Sequence, residues 1–547
     1  MHRFFLAFLF LCLARQTSCS AQEFSQETKL ASTAKIWGFL KYYHPQVAKG
    51  KFNWDEQLLK MLPKVIEAAN KEALSKIYMD WINTLGKVKE CTSCHKASEE
   101  EFFDKNFDLS WIKDSILFTT ALSNKLKFIE KNRFHGKHHY IEAKYETVGN
   151  VTLKNEPEYP DFDWKDRSNR LLLGFKYWNV IEYFFPYKYQ TDKPWNQVLL
   201  ETIPKLDSVK TEAEFQHTLL QMVVNIDDAH GAFVSSNVKY KWPPYKLRYI
   251  DEKIVVSGYY RNSLTQSYPF QRGDVIVAVN DRPLHDIMAE KKPFVWGSNE
   301  ASRNRNLANF IMPPFENKNV KVNFLRDGEK NEAVIGYYPS QNTKPDKPEK
   351  FRVIQDNIGY VNMGVIERTD VSKIMDSLKN TKAIIFDIRN YPKGTLYNLA
   401  QYLIPERRLF FKAIKPDLSY PGRFLWTNGR ECGNIKGEPT YTGKIILLVN
   451  EYTQSHAEFT TMALQTADKV TTIGNQTAGA DGNVSELDLG AGIKTYMSGI
   501  GIFYPDGLET QRIGVKIDIE VLPSIDGIKD NRDEVLERAI AFVNKGS

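Results

Sequence analysis

The sequence predicts a multidomain α+β protein: a helical N-terminal region, a β-rich middle and a C-terminal α/β domain. Three observations carry this. Apolar residues over 24–90 fall at three- and four-residue spacings, and that helical pattern returns further along the chain. Residues 240–340 change to short strands punctuated by turns. From residue 341 to residue 547, strands and helices alternate, the signature of a largely parallel sheet. A chain of 547 residues has material for about three or four domains.

The N-terminus reads first as a targeting segment. Arg3 opens residues 1–21, Phe4–Ala14 is apolar but too short to span a bilayer, and small residues follow at Ser18, Ser20 and Ala21. The expectation is an exported protein, periplasmic or extracellular, cleaved near Ala21. Cys19 raises a lipoprotein anchor, but Gln16 stands where a lipobox wants an aliphatic residue. No later stretch has the length and apolarity of a membrane span. The formal net charge of +6 is spread thinly, with no dense Lys/Arg block, which argues against a nucleic-acid partner.

The helical region, 22–239, contains an internal repeat. WGFLKYYHP at Trp37–Pro45 parallels WNVIEYFFP at Trp178–Pro186, Trp54 parallels Trp195, and Pro63 parallels Pro204. Each pair is 141 apart (178−37, 195−54, 204−63), so the copies, about 30–90 and 171–235, align without a gap. Aromatics at helical spacing predict core, not a ligand box. Between the copies, HHYIEAKYETVGNVTLKN from His138 alternates as a hairpin or edge strand does. His135, His138 and His139 cluster loosely, which is weak metal evidence. Cys91 and Cys94 sit in CTSCH, the pattern of c-type haem attachment. With one such motif and export expected, a structural pair is the better reading, leaving Cys432 unpaired.

The second copy ends in IDDAHG. His230, at a turn between helix and strand, is either a candidate general base or a cation capping a helix C-terminus. In the β-rich middle, Gly273, Asp274, Ile276, Val279 and Asn280 match GD-x-I-x-x-V-N and resemble a PDZ domain over 240–340; such domains bind extended peptides by strand addition. SQNTKPDKPEK, 340–350, is a polar linker. Beyond it, strands are expected at 358–363, 383–388, 444–450 and 470–473, with helices at 371–380, 396–404 and 456–467. Ser455 stands where a buried strand turns into a helix. It faces the free N–H groups of the first turn, as a helix cap or as a nucleophile beside an oxyanion site.

Three stretches of the α/β domain together resemble the tail-specific, or C-terminal processing, serine peptidases. FDIRNYPKGTL (386–396) resembles D-L-R-x-N-P-G-G-x-L, TQSHAEF (453–459) resembles T-A-S-A-S-E-I, and RIGVKIDIEV (512–521) resembles G-V-x-P-D-I-x-V. The resemblance spans about 240–543 and implies a ClpP/crotonase-like α/β catalytic domain over 341–547, with Ser455 as nucleophile. Departures are informative. TAGAD (477–481) places Ala480 where the common branch has its lysine base, so the chain looks like the tricorn-like branch, in which a histidine before the PDZ region serves; His230 matches it. That branch adds an acidic residue near the final strand, where this chain has Gln511, with Glu509 two residues earlier. Ile517 and Lys393 replace a proline and a glycine of the family pattern.

The resemblance thus implies an endopeptidase that cuts polypeptides, near their C-termini in some relatives, through an acyl-enzyme on Ser455. His230 would be the base and Glu509, or Gln511, the orienting residue. Backbone N–H groups of His456, with Lys393 or Gly394, would form the oxyanion hole. No metal or organic cofactor is called for. The rival expectation is a catalytically weakened relative that binds peptides or other ligands.

Overall fold

The computed structural model describes residues 24–91, 101–235, 243–312, 319–336, 344, 346 and 348–545. The expected targeting segment, Cys19, Cys94 and most of the 340–350 linker lie outside the described residues. Cys91 is disulfide-bonded, and Cys432 is free and buried. Among the described residues no helix is long and apolar enough to cross a membrane. The chain divides into two compact units: 1–226 with 414–426 and 484–500, and 227–413 with 427–483 and 501–547.

The first unit is mainly helical. Helices α1 (Gln26–Tyr43), α2 (Trp54–Glu67) and α3 (Lys71–Thr84) are followed, after a further helix at Thr120–Lys131, by α4 (Arg167–Phe184), α5 (Trp195–Ser208) and α6 (Glu212–Val224). The bounds of α4 and α5 are those of α1 and α2 shifted by 141 (167−26, 184−43, 195−54, 208−67). Side-chain oxygens of Ser25, Asn53, Asn70, Asp166 and Thr211 cap five of the six, accepting first-turn backbone N–H groups. The buried indoles satisfy each other's backbone: Trp37 Nε1 donates to Trp54 O and Trp54 Nε1 to Trp37 O, both at 3.0 Å. Trp178 Nε1 donates to Trp195 O at 2.9 Å and Trp195 Nε1 to Trp178 O at 3.0 Å. A buried indole N–H without an acceptor is costly, so each aromatic pair fixes the angle between its two helices.

Helices α1 and α4 are buried on nearly every face and carry buried charges. Lys41 and Lys176 share Glu156 at 2.6 and 2.8 Å, and Lys176 also reaches Asp55 at 3.1 Å. Pairing of this kind is what makes buried lysine tolerable. Gly38 lets the two helices meet: a Cβ there would overlap the Asn179 amide, which donates to Ala34 O at 3.0 Å. The expected hairpin is present as Ile141–Ala143 against Val151–Leu153.

Two sheets of the second unit carry the elements around the site. Strands β1 (Tyr245–Ile250), β2 (Lys253–Tyr259), β3 (Val275–Val279), β4 (Val320–Arg326) and β5 (Glu329–Ile335) form an antiparallel sheet in the order β5-β4-β3-β2-β1. Its apolar face, with Leu247, Ile254, Ile276, Val322 and Phe324, packs with residues of two helices, α7 (Leu284–Lys291) and α8 (Glu300–Phe310). These helices correct the strand-and-turn expectation for this stretch. Helix α8, EASRNRNLANF, is too polar to show apolar periodicity; its buried residues include Ser302 and Asn306.

The other sheet runs β6 (Phe351–Ile354), β7 (Ile358–Asn362), β8 (Ala383–Asp387), β9 (Lys444–Val449), β10 (Val470–Gly474) and β11 (Ile519–Glu520). Strands β7 to β11 are parallel, and β6 is antiparallel at the edge. Ile385, Ile446, Leu448 and Ile473 pack on Val535, Ala539 and Val543 of α12 (Glu534–Lys545). Ile384, Phe386, Ile445 and Leu447 are also buried, so both faces are covered. This unit also has helices α9 (Val371–Leu378), α10 (Leu396–Leu403) and α11 (His456–Leu464), and a short one at Ile525–Lys529. Helix α11 stops three residues before the expected Ala467, where Thr466 and Ala467 turn tightly onto Ala463 and Leu464.

Candidate active site

The site grows from the end of β9. Thr453, fully buried, ties the turn down: its Oγ1 donates to Ile388 O at 2.9 Å and accepts from Asn450 N at 3.1 Å. Ser455 follows at φ 58°, ψ −123°, a left-handed conformation rare for a residue with a Cβ. It stands as the N-cap of α11, so the next N–H, on His456, is one of the first-turn donors with no acceptor inside the helix.

What holds Ser455 there is Glu458, whose carboxylate is fully buried. It accepts from Ser455 N at 3.1 Å, Thr477 Oγ1 at 2.6 Å, Gly479 N at 2.8 Å and Ala480 N at 3.1 Å. Burial pushes its pKa up, and these four donors pull back down. Ser455 N also donates to Ala480 O at 2.9 Å, and Ala478 N to Thr453 O at 3.0 Å. The serine turn and the 477–481 loop are thus one rigid piece. Glu458 was not singled out from sequence, though Ser455-x-x-Glu458 is the spacing of a capping box.

The histidine loop packs onto this piece. Ala480, in the slot where a lysine base would stand, clusters with Ala478 and with Ala229, the residue before His230. Gln454, the residue before Ser455, donates to Ala229 O at 3.3 Å. The loops of His230 and Ser455 are therefore brought together across 225 positions. Ala229 N donates to Ser298 Oγ at 2.7 Å, and Asn299 Nδ2 donates to Thr477 O at 2.8 Å and Arg512 O at 3.0 Å. Ser298 and Asn299 lie outside every sequence motif.

The His230 side chain is 7% exposed, and its Nδ1 lies 3.9 Å from Asp228 Oδ1. Burial lowers its pKa; Asp228 opposes that shift and Arg305 adds to it. The imidazole is therefore held neutral near pH 7. Asp228 in turn accepts from His230 N at 3.1 Å and from Gln511 Nε2 at 3.5 Å. Of the two orienting candidates, Gln511 is the one beside this carboxylate, while half-buried Glu509 sits opposite Phe503 in a β-bridge. On the other side, the turn carrying Lys393 and Gly394 approaches α11: the Tyr391 and His456 rings lie 6.0 Å apart. Gly394 takes φ 70°, and its carbonyl accepts from Arg368 Nε at 2.9 Å. Lys393 Nζ is committed to Glu367 at 2.7 Å.

Residues 357–521 match Peptidase family S41. No curated protein matches the chain. Among solved structures, mature CPAF aligns with a TM-score of 0.55 at 14% identity, over 70% of this chain and 99% of its own. Mature CPAF complexed with lactacystin aligns with 0.54 at 14% identity, over the same shares. The photosystem II D1 C-terminal processing protease aligns with a TM-score of 0.40 at 15% identity, over 66% of this chain and 96% of its own. The likeness to CPAF is one of fold.

Proposed function

We propose that the chain, whose residues 357–521 match Peptidase family S41, hydrolyses polypeptides through an acyl-enzyme on Ser455, with His230 as general base. The observation that carries this is Ala480 packed on Ala229: the family's lysine slot holds a residue that cannot take a proton, and the loop filling that space carries a histidine. The neutral imidazole takes the hydroxyl proton as Oγ attacks the scissile carbonyl. The tetrahedral oxyanion is received by the His456 N–H and one from the Lys393–Gly394 turn. The imidazolium then gives its proton to the leaving amine, the C–N bond breaks, and water repeats the cycle to release the acid. Asp228, with Gln511 behind it, suits the orienting role better than Glu509, because it already faces His230 Nδ1.

Labelling with a fluorophosphonate, followed by mapping of the modified residue, tests this. Modification at Ser455, lost in His230→Ala, is the expected result; labelling elsewhere, or none, would sink it. A second reading has one observation in its favour: the neutral Gln511 where the tricorn-like pattern has an acid. A weakened peptide-binding relative would bind peptides and leave the probe unreacted.

Other parts of the reading rest on sequence and architecture. The antiparallel sheet with its two helices, together with the Gly273–Asn280 signature, supports a PDZ-like domain over 240–340 that holds the substrate chain. The parallel sheet supports a ClpP/crotonase-like domain over 341–547, and the equal helix bounds 141 apart support a duplicated helical region over 22–239. The N-terminal 21 residues support export to the periplasm or beyond. A preference for chain ends follows from the family resemblance alone. Deleting 240–340 should impair cleavage of long polypeptides more than that of a short reporter peptide; equal losses would argue that the segment belongs to the catalytic architecture.

A further inference from the structure

Beside the serine turn lies a cavity of about 580 Å³ whose wall is cationic. Strand β1 and the residues after β8, β9 and β10 contribute to it. Three of its arginines are already neutralised: Arg248 by Glu451 at 2.6 Å, Arg389 by Asp387 and Asp533 at 2.7 Å each, and Arg532 by Glu537 at 2.5 Å. Lys246 and Arg272 differ. Among the described residues, no carboxylate stands within ion-pair distance of either. Lys246 Nζ lies 5.4 Å from the centre of the Tyr260 ring, and Arg272 Nη1 donates to Ser257 O at 3.0 Å. Arg272 lies against Gly258, where a Cβ would come within 3.2 Å of its guanidinium carbon. Burial and then Arg272 lower the lysine pKa, with Asp346 opposing. Two cations facing one space repel unless an anion enters between them.

The cavity adjoins the chemistry. Tyr452, on its wall, is three residues before Ser455, so their Cα atoms are at most about 11 Å apart. Arg305 stands 5.9 Å from the Tyr452 ring, donates to Glu451 O at 2.8 Å, and is the cation that acts on His230. Asn450, also on the wall, anchors the serine turn by accepting from Tyr452 N at 2.9 Å. We propose that this cavity takes an acidic side chain of the polypeptide substrate, received by Lys246 and Arg272. The inference rests on the reading of the chain as a peptidase working at Ser455. It names a specificity, for chains that carry glutamate or aspartate near the cut, and the cavity has room for such a side chain with part of its backbone.

Binding to the full-length Ser455→Ala protein tests it without requiring turnover. Fluorescent peptides of one sequence, amidated at the C-terminus, would carry glutamate, glutamine or lysine at one internal position. The glutamate peptide should bind about tenfold tighter than its glutamine isostere, the scale of a charge-assisted hydrogen bond, and added salt should narrow the gap. Lys246→Gln with Arg272→Gln should erase the ratio, and Arg272→Glu should invert it toward the lysine peptide. A preference that appears only with a free C-terminal carboxylate would overturn the side-chain assignment. So would equal binding of all three peptides, or competition by inorganic phosphate with no peptide preference. Acidic preference without fluorophosphonate reaction at Ser455 of the unsubstituted protein would leave this inference standing and remove the peptidase reading; labelling without preference would do the reverse.

Discussion

At Ser455 the backbone, not the side chain, is the unusual feature. A serine is held at positive φ at the head of α11, and Glu458 supplies the compensating bonds. Glu458→Gln keeps the shape but puts an NH₂ against backbone donors. It should destabilise the protein by about 1–3 kcal/mol and slow probe labelling of Ser455. Unchanged labelling would mean the turn is held by Thr453 and the Ala480 carbonyl alone. Ser455→Ala and His230→Ala should each lower turnover about 10³-fold or more, and the double variant little further, because such residues act as a unit. A His230→Ala protein of near-native activity would dismiss the histidine base. The pH profile has a definite sign. The base must be neutral, and burial with Arg305 favours the neutral form, so kcat/KM should rise with pH through a group below about 6.5. Arg305→Gln removes one of those causes and should move that limb to higher pH; no movement would mean that another group sets it.

At the scale of elements, the paired indoles give the sharpest expectation. Trp37 and Trp178 are 0% and 1% exposed and make the same reciprocal bonds, so each Trp→Ala change should cost about 3–5 kcal/mol by chemical denaturation. A large difference between the two would argue against equivalent packing. Superposing 30–65 on 171–206 in an experimental structure is the direct check. These elements were readable in advance because their signals are local: the three- and four-residue apolar spacings of the helical region, the β-branched run of β9, the serine before an apolar helix. Strands β7, β8 and β9 fall within one residue of their expected bounds, and helices α9 and α10 within two. Helix α8 was not readable, because it buries Ser302 and Asn306 instead of an apolar stripe. Likewise, nothing local announces that Ser298 will hold Ala229 from 69 positions away, or that Gln511 will reach Asp228 from 283. The sequence motifs hold Ser455 and Ala480 25 positions apart (480−455), but the packing of Ala229 on Ala480 is a tertiary fact.

The response of the whole molecule to acid follows from histidines that take no part in the proposed chemistry. His44 and His138 are buried, and burial pulls both down to about 4; Lys125 adds to the effect at His44. Neither ring nitrogen of His138 has a hydrogen-bond partner among the described residues, and its ring stands edge-on to Phe134 at 4.9 Å. For a histidine whose folded pKa is depressed, the unfolded chain takes up a proton first. Above about 6.5 neither state is protonated and nothing is lost. As pH falls from there toward 4, protons accumulate only on the unfolded chain, so stability drops by about 3 kcal/mol for each histidine. Glu182 works the other way: burial raises its pKa, Lys188 restrains the rise, and protonation of the folded form returns some stability in acid. Buried Glu458 and Asp481 return stability in acid as Glu182 does, while His230 and His456, also held down by burial, add to the loss, so the contribution of one histidine is read by difference. His138→Phe keeps an aromatic ring against Phe134 and removes both the proton uptake and the unpartnered nitrogens. That variant should lose less stability between pH 6.5 and 4.5 than the unsubstituted protein, by about 2 kcal/mol. An identical loss in both would mean that His138 does not sense pH, and that acid lability resides in carboxylates such as Asp55, which Lys41 and Lys176 hold below the usual range against its burial.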